Sequence, residues 1–279
     1  MAGSLIFLAL LGAAVGSFLT LIVDRWAIAQ TIWAGRSHCD SCKKQLRWWE
    51  MIPLLGYFIV KGKCSRCHKP VRYLYPVFEL ISALVFVLVW IAQPADRNLW
   101  YVGLELVFVS SLLVLLFHDW LTQTFPSIVL YFAFALALVL VFLKSQLGYG
   151  GGIFAVRDSM LGWLSSPTSI PMMSLAGFGV GVGFLGLLAG PSRGKWMGYG
   201  DVWVGAILGL WLGYPLIIVA ILMAFYAGAI MAGFQILSKK IAADHRLAFG
   251  PFLLLSGIAT RTYGDDILRT LLRLWGAVV

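Results

Sequence analysis

The chain has 279 residues, 61% of them hydrophobic and 12% charged, with a formal net charge of +9. Such a composition excludes an ordinary soluble domain, and several runs of roughly 18 or more apolar residues define a polytopic membrane protein. The positive charge would point to nucleic acid in a soluble chain; here no nucleic-acid module accompanies it, and nucleic acid is not an expected partner.

The first apolar run, Leu5–Val23, has no Lys or Arg before it, and the first basic residue, Arg25, follows it. A signal peptide would carry its positive charge in front. The run therefore reads as an uncleaved helix with its N-terminus outside and the following loop in the cytoplasm, since ten of the 21 Lys and Arg fall between Arg25 and Arg72 and cytoplasmic loops are enriched in them. A basic tether to anionic lipid is also compatible with that loop. Within it lie the only four cysteines, Cys39-x2-Cys42 and Cys64-x2-Cys67. Two such pairs form the ligand set of a tetrahedral structural zinc. The alternatives are two disulfides, which a reducing cytoplasm disfavours, or redox-active thiols. His38 and His68 neighbour the ligands and are possible substitutes. The stretch Trp48–Pro53 would pack on the cysteine turns or at the headgroup boundary.

Eight helices are expected, at about 4–24, 76–93, 99–118, 126–143, 172–190, 201–213, 215–237 and 247–262. The fold class is an all-α polytopic membrane protein of about eight transmembrane helices with a small cytoplasmic zinc-binding insert. Its parts are the first helix (1–24), the insert (25–75), a helical domain (76–263) and an interfacial tail (264–279). Alternation across the membrane places the turn 119–125 inside, the Gly/Ser-rich loop 144–171 outside, and segments 191–200 (Arg193, Lys195) and 238–246 (Lys239, Lys240, Arg246) inside, in keeping with the charge rule. Gly150-Gly151-Gly152 and Ser165-Ser166-Pro167 mark a flexible connection, and no Gly-Lys-Ser/Thr follows the glycines to make a phosphate loop. Gly177, Gly179, Gly181 and Gly183 suit close helix packing. The segment 201–213 is short for a crossing: 13 residues reach about 20 Å against a hydrocarbon core of roughly 30 Å. The tail Asp265–Trp275 reads as an interfacial amphipathic helix.

Two carboxylates stand at helix ends. Asp119 closes the apolar run Leu99–Phe117, and Asp201 follows Met197-Gly198-Tyr199-Gly200 and opens the run Val202–Leu212. An acid at the edge of hydrocarbon marks a site by default, and Gly198 and Gly200 permit close approach of another segment. The same alternation puts both acids on one membrane face. Two carboxylates sharing a site do not both ionise readily, so one holds a proton. The ionised one takes a proton from water while the other protonates or hydrogen-bonds a scissile carbonyl. That is peptide hydrolysis without a covalent intermediate. Taken singly, Asp201 also suits a helix N-cap, whereas Asp119 faces the unfavourable pole of its helix. His118 is a tuning partner for Asp119 or an interfacial histidine beside Trp120. No Ser-His-Asp, His-Glu-x-x-His or Ser-Lys arrangement competes. Glu79 and Glu105 are the remaining acids inside apolar runs, and Glu105, toward the outer end of its helix, is discounted for chemistry.

Together these residues resemble the type IV prepilin peptidases, membrane aspartyl proteases of the Gly-x-Gly-Asp type. The resemblance runs through Gly16-Ser17-Phe18-Leu19 with Arg25, both cysteine pairs, Ile52-Pro53-Leu54-Leu55, Tyr75-Pro76 with Glu79-Leu80, Asp119 with Pro126, Met197–Asp201 and Phe249-Gly250-Pro251-Phe252. It implies that Asp119 and Asp201 are the catalytic pair, supported by Gly198 and Gly200. It implies cleavage of prepilin or pseudopilin leaders at the cytoplasmic face of the bacterial inner membrane, and N-methylation of the new N-terminus from S-adenosylmethionine, beside the structural zinc. Glu79 is the candidate for a methylation or substrate-amine role, with a partner for a basic boundary residue as its plainer reading. The sequence departs from the family pattern at Thr20, at Asp24-Arg25-Trp26 and at Ser127 after Pro126. Two rival readings stand beside this one: a Gly-x-Gly-Asp protease without methyl transfer, and a non-enzymatic pilus or secretion component docking through the zinc insert.

Overall fold

In hydrocarbon every backbone N–H and C=O needs a partner within the protein, which helices or closed barrels alone provide. The computed structural model takes the helical solution. Its described residues are 2–27, 37–39, 41–94, 98–147, 170–192, 194, 197–238 and 248–274. Among them there is no strand, only the isolated bridges His38–Gln45 and Lys63–Pro70. Most of the expected loop 144–171, including Gly150–Gly152 and Ser165–Pro167, lies outside the described residues, as do Arg193, Lys195, Lys239, Lys240, Arg246 and Trp275. The chain divides into two compact units, Met1–Trp90 and Ile91–Val279.

The first unit holds α1 (Ala2–Ala27), the short α2 (Leu55–Ile59) and α3 (Leu74–Ile91). Helices without a hydrophobic drive between them associate where small residues let backbones meet. Gly12 and Gly16 of α1 do this against α3. A Cβ on Gly16 would lie 2.5 Å from the Ser82 hydroxyl, and one on Gly12 would lie 2.7 Å from the Ser82 carbonyl. The Tyr75 hydroxyl donates to Asp24 at 2.6 Å, which ties the end of α1 to the start of α3.

The second unit holds α4 (Leu99–Thr122), α5 (Ser127–Gln146), α6 (Ile170–Ala189), α7 (Tyr199–Leu212), α8 (Leu216–Leu237) and α9 (Gly250–Leu274). Its interior is built on α4 and α7. Phe108, Leu112, Leu113, Leu115 and Phe117 of α4 have no exposed surface, nor do Val204, Ile207 and Leu208 of α7. A helix apolar all round belongs inside. Opposed glycine stripes seat α7 on α6: a Cβ on Gly177 would strike the Gly209 carbonyl, and one on Gly181 the Gly205 carbonyl. Gly179 and Gly183 face open space, so two of the four expected packing glycines carry the contact.

Among the described residues six helices are long and apolar enough to cross a membrane, against about eight expected. The other two are α7 and α9. Helix α7 has 14 residues, about 21 Å, and α9 carries Arg261, Asp265, Asp266, Arg269 and Arg273. The expected helix 247–262 and the amphipathic tail are one continuous α9 of 25 residues.

Candidate functional site

The second unit gathers the end of α4 and the starts of α7 and α9 around one aromatic ring. Helix α4 ends with Gln123 in the left-handed conformation, its N–H bonded to the Asp119 carbonyl at 2.9 Å. His118 donates from Nδ1 to the Thr124 carbonyl at 2.7 Å, and Thr122 caps back onto the His118 carbonyl at 2.8 Å. His118 thus holds the turn that delivers Phe125. Bare backbone meets that ring on two sides. A Cβ added to Gly200 or to Gly250 would collide with it, and on Gly250 it would also lie 2.5 Å from Asp119 Oδ2. Asp119, Phe125, Gly200 and Gly250 are therefore neighbours, and Asp201 is the residue after Gly200. Asp119 and Asp201 are 4% and 7% exposed, and each is within electrostatic reach of the other.

Their surroundings differ. Asp201 lies in the first turn of α7. Its carboxylate accepts from the Gly198 N–H at 3.2 Å, and its own N–H donates to the Gly198 carbonyl at 3.1 Å. Asp201 is thus not the N-cap that its local sequence suits: Gly198 takes that place, because the helix starts two residues earlier, and Asp201, the third helical residue, reaches back to the Gly198 N–H with one oxygen. Helix N-termini favour negative charge and C-termini disfavour it. Asp119 sits in the last turn of α4, and among the described residues its carboxylate accepts no hydrogen bond. Two buried acids in mutual reach, one stabilised as an anion by its helix and the other not, have the asymmetry that acid–base hydrolysis uses.

In the first unit the four cysteines converge. Their sulfurs all lie within 4.8 Å of one another, and Cys39 and Cys67 are 3.8 Å apart. That separation matches the edge of a tetrahedron with bonds of about 2.3 Å, the zinc–thiolate length. All four are free thiols, so the cluster could hold a metal ion. The two turns are built alike. Cys39 and Cys64 each donate from N–H to the carbonyl five residues on, Lys44 and Lys69, and accept from the N–H four residues on, Lys43 and His68. Lys43 and His68 both have left-handed backbone, φ 55° and 56°. His68 is thus a turn residue, and His38 lies in the bridge to Gln45. The backbone N–H groups of Cys67 and Arg66 hold the Cys64 thiol down to about 7, toward the thiolate that a metal takes. Glu50 hydrogen-bonds Ser65 inside the second turn, while Trp48 is 70% exposed. The Trp48–Pro53 stretch thus packs on a cysteine turn through its acid rather than its first tryptophan.

Glu79 is buried in α3 and its Oε2 accepts from the Leu54 N–H at 2.7 Å. Leu54 has φ 61° and ψ −57°, and the Leu55 N–H closes a three-residue turn onto the Pro53 carbonyl at 2.7 Å. This turn is strained for any residue with a side chain. A backbone amide, rather than a basic boundary residue, is the partner seen at Glu79.

The sequence reading brought out both aspartates, all four cysteines, Gly198, Gly200 and Glu79. The geometry adds Phe125 and Gly250. Gly250 stood inside a noted motif and Phe125 directly before the noted Pro126; neither position alone signals its contact.

Comparison with known families divides the chain near the same boundary as the compact units. The family model described as Bacterial Peptidase A24 N-terminal domain matches residues 10–93, and the Type IV leader peptidase family matches residues 106–233. Curated relatives named prepilin leader peptidase/N-methyltransferase include one from Myxococcus xanthus, 33% identical over 183 residues. That match covers 63% of this chain and 49% of the relative, so the chain spans about half of that relative's length. Another, from Pseudomonas aeruginosa, is 28% identical over 296 residues, covering 96% of this chain and 93% of the relative. A third, from Bacillus subtilis, is 28% identical over 257 residues, covering 92% and 93%. No solved structure matches.

Proposed function

The chain belongs to the type IV leader peptidase family, and from that premise we propose that Asp119 and Asp201 cleave the leader peptide of a prepilin or pseudopilin at the cytoplasmic face of the bacterial inner membrane. The observation that carries the reading is that two buried carboxylates come from the ends of α4 and α7 to one place: Asp119 lies beside Gly250, Asp201 follows Gly200, and both glycines meet the Phe125 ring. Asp201, at a helix N-terminus and held by Gly198, is the carboxylate that takes a proton from water. Asp119, at a helix C-terminus, keeps its proton and gives it to the scissile carbonyl or the leaving amine. Gly198 and Gly200 serve by leaving room: Gly198 supplies the N–H that fixes one Asp201 oxygen, and Gly200 admits Phe125.

Cys39, Cys42, Cys64 and Cys67 would hold a structural zinc, which supplies folding free energy to a module with little core of its own. The chain would also N-methylate the new N-terminus with S-adenosylmethionine as donor, following the printed names of its relatives. The product of cleavage is a primary amine, the acceptor such a transfer needs, and Glu79 is the first residue to test for it. The orientation places the N-terminus outside and the basic cysteine module in the cytoplasm.

The test is to incubate the purified protein in lipid with a prepilin and S-adenosylmethionine, and to read the product mass. Loss of the leader plus one methyl group, abolished by Asp119→Asn or Asp201→Asn, is the expected result. Leader loss without the methyl would leave a peptidase alone. Cleavage that survives both substitutions would refute the aspartate mechanism.

A further inference from the structure

The three segments that form the carboxylate site are joined a second time, further along each helix. Glu105 of α4 has no exposed surface, yet it is fully engaged. Its Oε1 accepts from Arg261 Nε of α9 and from Trp211 Nε1 of α7, both at 2.9 Å. Its Oε2 accepts from the Gln93 side-chain amide. Arg261 also reaches the Ala92 carbonyl at 3.5 Å and hydrogen-bonds Tyr101. Lys144 of α5 and Asp265 of α9 are in electrostatic reach, which completes a set of two anions and two cations. One carboxylate thus clasps α4, α7 and α9.

Those helices carry the site at one end. Asp119 comes fourteen residues after Glu105 on α4, Asp201 ten before Trp211 on α7, and Gly250, packed on Asp119, eleven before Arg261 on α9. The clasp therefore stands about 15 to 21 Å along each helix from the carboxylates. The faces between are mainly apolar: Phe108 meets the Trp211 ring at 5.1 Å, a Cβ on Gly257 would lie 2.7 Å from Leu208, and the buried hydroxyls of Ser111 and Ser256 bond within their own helices. Apolar faces resist separation but have many similar sliding positions. A charged hydrogen-bonded node in hydrocarbon has one. A buried ion pair adds little net stability next to an apolar replacement, and its best-attested use is to fix register.

We propose that Glu105, acting with Arg261 and Trp211, is a positioning residue: it sets the axial register of α4, α7 and α9, and through it the spacing of Asp119 and Asp201. A slip of one residue moves a helix about 1.5 Å, and a misplacement of about 1 Å at reacting groups lowers a rate on the order of 100-fold. The inference rests on the aspartate-pair reading above. If Asp119→Asn or Asp201→Asn still cleaves, that reading fails on its own terms, before any result at Glu105 is considered.

The experiment uses the full chain in proteoliposomes with a prepilin substrate. It measures kcat, KM and the thermal unfolding midpoint for Glu105→Ala, Glu105→Gln and Trp211→Phe, each assayed well below its own midpoint. Glu105→Ala is expected to lower kcat on the order of 100-fold with KM within about threefold, because substrate contacts are untouched. Glu105→Gln keeps the length and an acceptor for Trp211, and should recover at least tenfold of that loss. Trp211→Phe keeps the ring packing on Phe108 and removes a single bond from the helix of Asp201; its kcat should fall about tenfold. If Glu105→Ala does not fold, the two milder variants decide. A folded variant with wild-type kcat, even at a lowered midpoint, would make the node a structural fastener and overturn the proposal. A rise in KM at unchanged kcat would do the same.

Discussion

The cysteine cluster and the carboxylate pair are held in place by opposite means. The cysteines sit on two tight turns whose neighbours face solvent: Lys43, Lys44, Lys63, Arg66 and Lys69 are all exposed. Backbone hydrogen bonds shape each turn, but little buried surface joins one turn to the other. The aspartates sit on α4 and α7, where Phe108, Leu112, Leu115, Ile207 and Leu208 have no exposed surface. One centre is local in sequence, and its four sulfurs are placed so that a metal ion could close it; the other is assembled from segments 82 positions apart and is closed by packing. Each is therefore vulnerable in its own way: the first to removal of any ion it holds, the second to any added atom.

The largest effect expected is at the second centre. Asp119→Asn and Asp201→Asn keep shape and volume while removing the ionisable group, and each should lower leader cleavage by more than about 1,000-fold, in the upper range for a general acid or base. Quantifying cleaved prepilin by mass checks it. If one of the two leaves a tenth or more of the rate, the centre is not a pair.

Next comes the added atom. Gly250→Ala places a methyl in the Phe125 ring and 2.5 Å from the Asp119 carboxylate. One of the three must move, and a shift of about 1 Å lowers kcat on the order of 100-fold. Gly200→Ala meets the same ring from the other side and should behave alike. A Gly183→Ala control faces open space and should leave cleavage within about twofold. Equal kcat values for Gly250→Ala and the control would show that packing does not hold the site.

These two predictions also mark where the sequence was legible. That Asp119 and Asp201 would be neighbours was legible because an acid at a hydrocarbon boundary is costly, and that the four cysteines would converge because paired Cys-x2-Cys turns suit one tetrahedral ion; their sulfurs lie within 4.8 Å of one another. Helix positions followed from apolar runs, and ends such as 199–212 against the expected 201–213 differ by a residue or two. What periodicity could not give was contact between distant segments. Gly250 looks like a residue of its own motif until α9 is seen to start against Asp119. Glu105 looks like a stray outer acid until Arg261, 156 positions away, is found on it. Nor could hydropathy join 247–262 to the tail, since Asp265 and Asp266 interrupt the apolar run while the backbone continues as one helix.

A smaller effect on cleavage is expected when the first centre is broken. Cys64→Ser, or metal stripping by a chelator, should abolish metal content and open residues 37–73 to protease. Leader cleavage should fall less than about tenfold, because the packing described around Asp119 and Asp201 comes from α4, α7 and α9 of their own unit. Metal analysis, limited proteolysis and the cleavage assay on one preparation decide it. Cleavage lost in step with the metal would mean that the two centres are not separately maintained.

The smallest effect separates two roles for Glu79. As the acceptor that holds Leu54 at φ 61°, it needs an oxygen but not a charge. Glu79→Ala leaves the Leu54 N–H without its partner and should destabilise the first unit by about 1–3 kcal/mol. Glu79→Gln keeps an oxygen at the same reach and should cost less than about 1 kcal/mol, read as a shift in denaturant midpoint at unchanged slope. Cleavage should be unmoved by either. If Glu79 instead takes a proton from the substrate amine during methyl transfer, the ranking changes for that reaction alone, because Gln cannot accept a proton: methylated product would vanish in both variants while stability still distinguished them. The Gln variant therefore carries the decision, since it leaves the turn intact and removes only the chemistry.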